Sequence, residues 1–545
     1  GVHLDMRLGW LRPGRVAPFG DAAVAFDTSS PRSAAELARS VRAADIVGVT
    51  DAVGGFESVL VEFDPEATTH QGVTEGIGSI KTGRSRRAGK VLEMPVAFDG
   101  LDLEAVGADS GLGVDGVTAA LLGARLEVAV LGFAPGFAYL SGLPKPLLRI
   151  PRRSTPRPSV PAGSLAIAGG HAAVYPRSMP GGWQLVGRTD LVLFDPDVPP
   201  HALLQPGDSV RLSQVDSSDL KVPAPADGGS EPAGAAGDLV FVVESPGLLT
   251  TLQDGGRPGF AHLGVPRAGA ADPIGLELAN RLVGNRPGAA CLELTAIGPV
   301  LECRRATHIA VVGPGTVATL DGTPVGTGRV VPVEPGQRLG VGATGSRLRS
   351  YLAVRGGFAG EVVFGSRSSD RLGRLGPGPL RAGDRLGAEG PIGPMADHLR
   401  PPERATTNTA RVVLVGEGDW QRTLFDRVFE VQGTSDLVGV RLRPSDGVPM
   451  RPPEAVRQSA GTTLGTIQVP PDGNPVVLMP DHATLGGYAV AGVVITADRP
   501  ELAGWRPGDT VRFEPVDQAA ASAALRSLRR SIDDAVAGHY PAAAG

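Results

Sequence analysis

The chain is expected to be mainly β with α+β content: tandem β-barrels preceded by a small α+β region. Three observations predict this. Glycine (77 residues) and proline (49) make up nearly a quarter of the 545 residues, while aromatic residues reach only 4%, a balance suited to short strands joined by tight turns rather than to long helices. Hydrophobic residues are 42% against 20% charged, so the chain can bury cores in spite of its turn residues. The halves also echo each other: PGGWQLVG (180–187) precedes QPGDSVRL (205–212), and LGGYAVAG (485–492) precedes RPGDTVRF (506–513). A glycine pair and an aromatic before one strand, then a Pro-Gly-Asp turn before a closing strand, predict related barrel units.

At this length several domains are expected. Residues 16–90 read as the small α+β part. There AAVAFD (22–27) and SVLVEFD (58–64) alternate like strands, and AAELARSVRAAD (34–45) has helical spacing at Leu37, Val41 and Ile46. From VLEMPVAFD (91–99) to 215 the pattern is strands and turns, the first barrel. DSSDLKVPAPADGGSEPAGAAG loses every apolar period, so 216–238 is expected to be a linker. Residues 239–516 are again strand-rich, as in HIAVVG (308–313), SYLAVRG (350–356), ARVVLVG (410–416) and NPVVLM (474–479). One helix interrupts them, with Asp272 as N-cap, Pro273 at its first turn, Leu276, Ala279 and Leu282 as its apolar stripe and Gly284 to close it. The tail, 517–545, opens with an amphipathic helix over 517–540.

A net charge of −5 gives no basic footprint, so no nucleic-acid partner is expected. No apolar run is long enough for a membrane span and the opening residues carry no apolar signal core; a cytoplasmic location is the expectation. Cys291 and Cys303, the only cysteines, are expected in the core on adjacent strands. Common catalytic signatures are missing. Gly89-Lys90 is followed by Val91, so no phosphate loop forms, and the GxGxxG match at Gly340, Gly342 and Gly345 runs into a strand-like SRLRSYLAV instead of a helix. The nine histidines stand singly, and no metal site is expected. No GxSxG elbow occurs, and no lysine has the setting of a biotin carrier.

The densest chemistry lies in GFAPGFAYLSGLP (132–144), PRRSTPRPSVPAGSLAIAGGHAAVYP (151–176) and PGGWQLVGRT (180–189). Arg152, Arg153 and Arg157 beside glycine-rich backbone are expected to bind carboxylate or phosphate, with Trp183 as a stacking wall and His171, Arg188 and Thr189 nearby in the same run. The plainer reading of any one of them is a solvated arginine on a barrel turn.

This run, from Gly20-Asp21 through PGFAYL, VPAGS and PGGWQLVGRT to QPGD, resembles the allophanate hydrolase subunit 1 family. The same domain occurs as the B component of bacterial 5-oxoprolinase, as a histidine-kinase inhibitor and in the carboxyltransferase of urea carboxylase. Residues 239–516 are similar to the matching subunit 2 family, the C component of 5-oxoprolinase, through SPGLLTTLQDGGRPGF (245–260), GVPRAGAADPIGLELANRLVGN (264–285), FGSRSSD (364–370), GTIQVPPDGNP (465–475) and TLGGY (484–488). The resemblance implies one cyclophilin-like barrel in the front half and two barrel modules in the back half. The chain departs from the family at LLGARLEVAV (121–130), which lacks a usual His and Tyr, at Ala268 and Ala271, and at DLVGVRL (436–442), where only Gly439, Arg441 and Leu442 are kept.

In the back half, Gln253, Asp254, Arg257, Glu293, Arg367 and Gln468 are the catalytic candidates, and Ser368, Asp370, Arg441 and Tyr488 are substrate-binding ones. Gln253, Asp254 and Arg257 sit among glycines, where they would hold a small polar amide; the plainer reading is a turn in which Asp254 pairs with Arg257. Glu293 between Leu292 and Leu294 is a carboxylate in an apolar strand, the setting for acid–base work, unless it simply alternates outward. Capping alone explains Asp272, Asn280 has an equally plain structural reading, and His482 reads as an exposed turn residue. The resemblance thus implies a fused B and C component of an ATP-dependent 5-oxoprolinase-type amide hydrolase, with ATP at an unplaced site, Mg accompanying it, and a separate A-like partner subunit. The chain itself is expected to be a homo-oligomer. One alternative is a carboxyltransferase acting on urea, its biotin carried on another chain. The other is a non-enzymatic inhibitor of a sensor histidine kinase.

Overall fold

The computed structural model describes residues 16–80, 89–221, 237–390, 393–396, 407–416, 418–453 and 458–537. Its first unit is a four-stranded antiparallel sheet, in the order Val16–Pro18, Ala23–Asp27, Ser58–Phe63, Val49–Gly54. The helices Pro31–Ala43 and His70–Gly78 cover it, and Phe26, Leu37, Val41, Val61 and Ile77 form its core. The first helix starts three residues before the expected 34–45. The Ser30 side chain caps Ser33 N and Pro31 occupies the first turn, a start signal that the apolar spacing alone does not show.

The front barrel is a seven-stranded sheet from Gln184–Arg188 at one edge to Val91–Val96 at the other. A bridge between Ala97 and Arg188, N–H to O at 2.9 Å in both directions, joins the edges. Strands and turns alone were expected here, yet Leu103–Ser110 and Gly113–Leu122 are helices. Glycines at 107, 111, 113 and 116 dilute their periodicity, but Leu103, Val106, Val117 and Leu121 still reach the barrel core. The two helices connect Val91–Val96 to Leu126–Leu131, the two strands that flank Ser209–Gln214, the first parallel and the second antiparallel to it.

Of the segment expected as a linker, 222–236 lie outside the described residues, and a strand already begins at Asp238; beyond it a six-stranded and a five-stranded sheet share one core around Phe241, Leu292, Leu294, Ile309 and Leu352. Thr409–Leu414 to Thr510–Pro515 then form a closed seven-stranded barrel, again with first and last strands parallel. The strand pairing therefore closes one ring in the back half, and the other expected module is two facing sheets.

The repeated turn does the same job in both barrels. Asp208 Oδ2 accepts from Gln205 N–H at 2.9 Å and Asp509 Oδ2 from Arg506 N–H at 2.7 Å, each just before the closing strand. A third copy escaped the sequence reading: in RAGD (381–384) Asp384 Oδ2 accepts from Arg381 N–H at 2.7 Å before the strand Arg385–Ala388. Cys291 and Cys303 are both buried but lie in different sheets, not on adjacent strands. The last helix, Gln518–Ala537, places Ala521 and Leu525 on the barrel and Ile532 against Pro273–Leu282. Its Arg529 joins Glu66 at 2.7 Å to Glu277 at 2.8 Å. No helix among the described residues is long and apolar enough to cross a membrane.

Candidate functional site at the seam between the halves

Front and back halves meet along a buried seam. Asp51 Oδ2 accepts from Gly259 N–H and Ala261 N–H at 3.0 Å each, Gly136 N–H donates to the Leu263 carbonyl at 2.9 Å, and Phe56 N–H donates to the Ser459 carbonyl at 3.2 Å. Leu263, Val265, Val363 and Leu375 join the front barrel's core, as Leu485 joins the aromatic cluster beside it. Gly132 is required at this contact: a Cβ there would stand 2.4 Å from Leu485 Cγ.

On the front side of the seam lies an aromatic wall. Phe137, Tyr139, Tyr175 and Trp183 pack edge to face at 5.2–6.0 Å, and Phe56 meets the His171 ring at 4.7 Å. The Tyr139 hydroxyl is hydrogen-bonded to Ser459 of the C-terminal barrel, and burial pushes its pKa up to about 12 in spite of Arg152 nearby. His171 is held below its ordinary pKa by burial and by the Arg152 charge, so it is a neutral ring at pH 7.

The three arginines divide sharply. Arg157 is bidentate to Asp102, at 2.8 and 2.9 Å, and Arg153 reaches the same carboxylate at 3.1 Å. Asp102 also accepts from Leu185 N–H at 2.7 Å; burial would raise its pKa, but Arg157, Leu185 N–H and Arg153 outweigh it and hold it down. Arg153 and Arg157 therefore fix their loop to the barrel. Arg152 instead is exposed, its guanidinium carbon 5.9 Å from the centre of the Trp183 ring, with no carboxylate partner among the described residues. Arg188 pairs with Asp99 at 2.9 Å and buried Thr189 donates its N–H to the Gly163 carbonyl, both at the barrel's joining edges, away from the wall.

On the back side, five candidates come together, joined by the backbone of a sixth, Arg367. Asp254, at the end of strand Leu249–Gln253, accepts from Gly256 N–H (2.8 Å), Arg367 N–H (2.6 Å) and the hydroxyls of Ser366 and Ser368 (2.6 Å each). Gln253 donates to the Ser369 carbonyl at 3.1 Å and leaves its own Oε1 without a partner. Arg257 does not pair locally with Asp254. It is 1% exposed, donates to the Ser368 carbonyl and stands 4.0 Å from Asp370 Oδ2. Arg257 Nε and Nη1, Asp370 Oδ2 and Asp481 Oδ1 are all buried without hydrogen-bond partners. Burial lowers the Arg257 pKa and raises those of Asp370 and Asp481, the last with help from Asp370. Arg177 of the front barrel, itself buried, adds its charge to Asp370. The Arg367 side chain leaves this cluster to pair with Glu389.

Glu293 is neither outward-facing nor free. Its Oε2 accepts from Ala271 N–H at 2.8 Å and the Tyr351 hydroxyl at 2.7 Å, and Arg349 stands 3.4 Å from its Oε1. Asp272 caps its helix through Ile274 and Gly275 N–H at 3.0 Å, and Asn280 holds the Ala289 carbonyl at 2.7 Å. Arg441 and Tyr488 are exposed on the C-terminal barrel, apart from the Arg257 cluster, whereas Gln468 is buried with Nε2 unpartnered. His482 is buried, not exposed: its Nδ1 lies 2.9 Å from the Ala483 carbonyl and 3.3 Å from Thr462 Oγ1, and burial lowers its pKa to about 4. The sequence reading passed over Tyr139, Arg177 and Asp481. Tyr139 lies inside the PGFAYL motif and Asp481 precedes TLGGY, but nothing local marks Arg177.

Among the described residues no group of three or more His, Cys, Asp or Glu is placed to hold a metal. The glycines at 340, 342 and 345 follow the strand prediction: Gly340 lies in Arg338–Val341, and a Cβ on Gly345 would overlap the Pro314 carbonyl at 2.2 Å. Gly345 thus serves a close backbone contact, and the run leads into the strand Arg349–Val354, without the helix N-terminus that a nucleotide's phosphates require.

The carboxyltransferase domain model for subdomains A and B matches residues 263–515, and that for subdomains C and D matches 14–204. The chain is 35% identical over 286 residues to the C component of 5-oxoprolinase from Escherichia coli, covering 49% of this chain and 88% of that one. It is 37% identical over 188 residues to the B component of 5-oxoprolinase from Bacillus subtilis, covering 32% and 78%. A urea amidolyase of Lachancea kluyveri is 30% identical over 334 residues, 54% of this chain but only 18% of that protein. The crystal structure of TTHA0988 superposes with a TM-score of 0.81 at 35% identity, over 90% of this chain and 99% of that one. With counterparts of both components on one polypeptide, the chain belongs to the carboxyltransferase-domain family that includes the B and C components of 5-oxoprolinase.

Proposed function

We propose that this chain is the fused B and C component of an ATP-dependent 5-oxoprolinase-type hydrolase, which opens the lactam of 5-oxoproline, or a related small amide, together with a separate A-like subunit. The observation that carries this reading is the seam itself. The counterparts of the B and C components share one buried interface, with Tyr139 reaching Ser459 and Arg177 entering the Arg257–Asp370 cluster, so the two halves act as a unit. In this reading the Arg152 guanidinium takes the substrate carboxylate against the Trp183 face, and neutral His171 offers a hydrogen bond without a charge. No phosphate cradle is found among the described residues, so no ATP step is assigned to groups of this chain. The test is ATP turnover by the purified chain with the A-like subunit, with and without 5-oxoproline. Turnover that rises on adding 5-oxoproline supports the reading, and turnover indifferent to it overturns it.

A second reading, carboxyl transfer to urea from biotin carried on another chain, is favoured by the carboxyltransferase match and the urea amidolyase relative. Transfer from free carboxybiotin to urea by the purified chain is its test.

A further inference from the structure

The back-half segment 363–375 is held in the front barrel's core at both of its ends. Val363 and Leu375 are buried in the cluster built around Val128, Leu140 and Ile167, and Phe364 packs against it. Between those ends stand the groups that build the back-half site. The hydroxyls of Ser366 and Ser368 and the Arg367 N–H each reach the Asp254 carboxylate at 2.6 Å, and Asp370 follows, its backbone paired with that of Leu375 at 2.9 and 3.2 Å. A shift of either end therefore moves the partners of Asp254.

The first end is a strained turn. Val363 and Ser366 bond each other, N–H to O at 2.9 and 3.2 Å, around Phe364 at φ 52° and Gly365 at φ 77°, a hairpin turn with a left-handed backbone at both central residues. Gly365 adopts this freely, and Asn is a favoured residue at the first central position, whereas a bulky ring there is an outlier. Such strain persists only where the surrounding structure over-determines it. For Phe364 that structure is an aromatic cluster across the seam. Its ring centre lies 4.9 Å from that of His201 and 6.2 Å from that of Phe194, both on the front barrel, and 4.5 Å from that of Phe260. An Asn would suit the turn better and make none of these ring contacts, so the residue present serves the contact and not the turn.

We propose that Phe364 is a positioning residue: the docking of its ring against His201 and Phe194 sets the turn that delivers the Ser366 hydroxyl and the Arg367 N–H to Asp254, so that the front half assembles the back half's site. The role holds whichever reaction the chain performs, and so goes beyond both readings above.

Hydrogen exchange of the full chain, read by mass spectrometry in peptides spanning 250–258 and 364–372, tests this, with the strand Thr409–Leu414 of the C-terminal barrel as reference. Phe364→Asn relieves the backbone and removes the ring; exchange in both peptides is expected to quicken about tenfold while the reference keeps its rate. His201→Asn alters only the front side and introduces a residue that tolerates the φ of 65° at that position. It is expected to quicken the same two peptides about two- to fivefold, the worth of one aromatic contact. Phe364→Tyr, which keeps the ring, is expected to exchange as the parent does. Unchanged or slower exchange in Phe364→Asn overturns the proposal, because the turn then holds itself. An equal rise in the reference strand also overturns it, since the ring would then support the whole fold and not this site. Parent rates in His201→Asn would remove the front barrel from the route, and rates in Phe364→Tyr as fast as in Phe364→Asn would show that the ring contact is not what sets the turn; either result sinks the idea.

Discussion

Two clusters of arginine and aspartate, one in each half, use the same side chains in opposite ways. Around Asp102 every oxygen is taken, by Arg153, by both arms of Arg157 and by Leu185 N–H, at 2.7–3.1 Å and close to solvent. Around Asp370 the Arg257 guanidinium is 4.0 Å away, both groups are buried, and four polar atoms in the cluster lack hydrogen-bond partners. The first cluster is saturated and ties a proline-rich loop to the barrel. The second is incomplete in a low-dielectric setting, where an unpaired charge is costly and is tolerated only if surrounding structure holds it in place. Function is therefore to be sought where the pairing is incomplete, and in the front half that leaves Arg152.

The contrast predicts unequal penalties. Arg257→Ala leaves the buried Asp370 and Asp481 carboxyls without their nearest cation and is expected to remove about 3–5 kcal/mol of stability, read from the first transition in urea unfolding. A loss under about 1 kcal/mol would show that the cluster is hydrated and that the contrast between halves fails.

The seam between the two regions adds a pH signature. Burial, with Glu62 adding to it, raises the Asp51 pKa from 3.8 to about 6, although backbone N–H groups and Arg42 oppose the shift. The folded state thus binds this proton more tightly than the unfolded chain, so the contribution is full below pH 4 and is lost as pH rises through 6, about 3 kcal/mol across the window. Asp51→Asn keeps an acceptor for Gly259 and Ala261 but cannot titrate. Its stability relative to the parent should climb between pH 4 and pH 6, and parallel curves would show that Asp51 is not buried at the seam.

Much of this architecture was legible because turn chemistry is local. The Pro-Gly-Asp turns are self-contained, each aspartate bonding the N–H three residues before it, so the repeat could be seen in sequence and the barrel strands followed. The helices at 103–122 were missed because their glycines hide a period that the barrel core enforces, a tertiary override of local propensity. The back-half cluster was partly legible: Gln253, Asp254, Arg257, Ser368 and Asp370 lie in glycine-rich motifs and do meet. Arg177 and Asp481 were not, since they are drawn in from the other barrel modules and nothing in their own neighbourhoods records the approach. Glu293 shows how a local pattern admits more than one origin. Its apolar flanks suggested acid–base work, but those flanks are the strand's core contacts, and Ala271, Tyr351 and Arg349 already satisfy its carboxylate.

Smaller effects separate clamp from ligand group within the front half. Asp102→Ala frees Arg153 and Arg157, which are near enough to solvent to hydrate, so a loss of about 2 kcal/mol is expected rather than the larger penalty at Arg257. The loop from 151 to 157 should then become sensitive to protease. If Asp102→Ala is as damaging as Arg257→Ala, the front cluster is no less buried than the back one.

Arg152→Ala is the smallest change in stability and the most informative. The guanidinium lies over Trp183 with solvent around it, a contact worth about 0.5–1 kcal/mol at an exposed site, and removing it opens no cavity and strands no charge. Melting should therefore move by no more than a degree or two, while affinity for a carboxylate-bearing amide falls about tenfold or more, as for loss of a charge-assisted hydrogen bond. Affinity for an uncharged lactam of the same size should stay the same. That difference assigns Arg152 to the carboxylate and not to the ring; equal losses for both ligands would place it in the general shape of the aromatic wall, and no loss for either would return it to the class of solvated barrel-turn arginines to which Arg153 and Arg157, by their pairing with Asp102, do not belong.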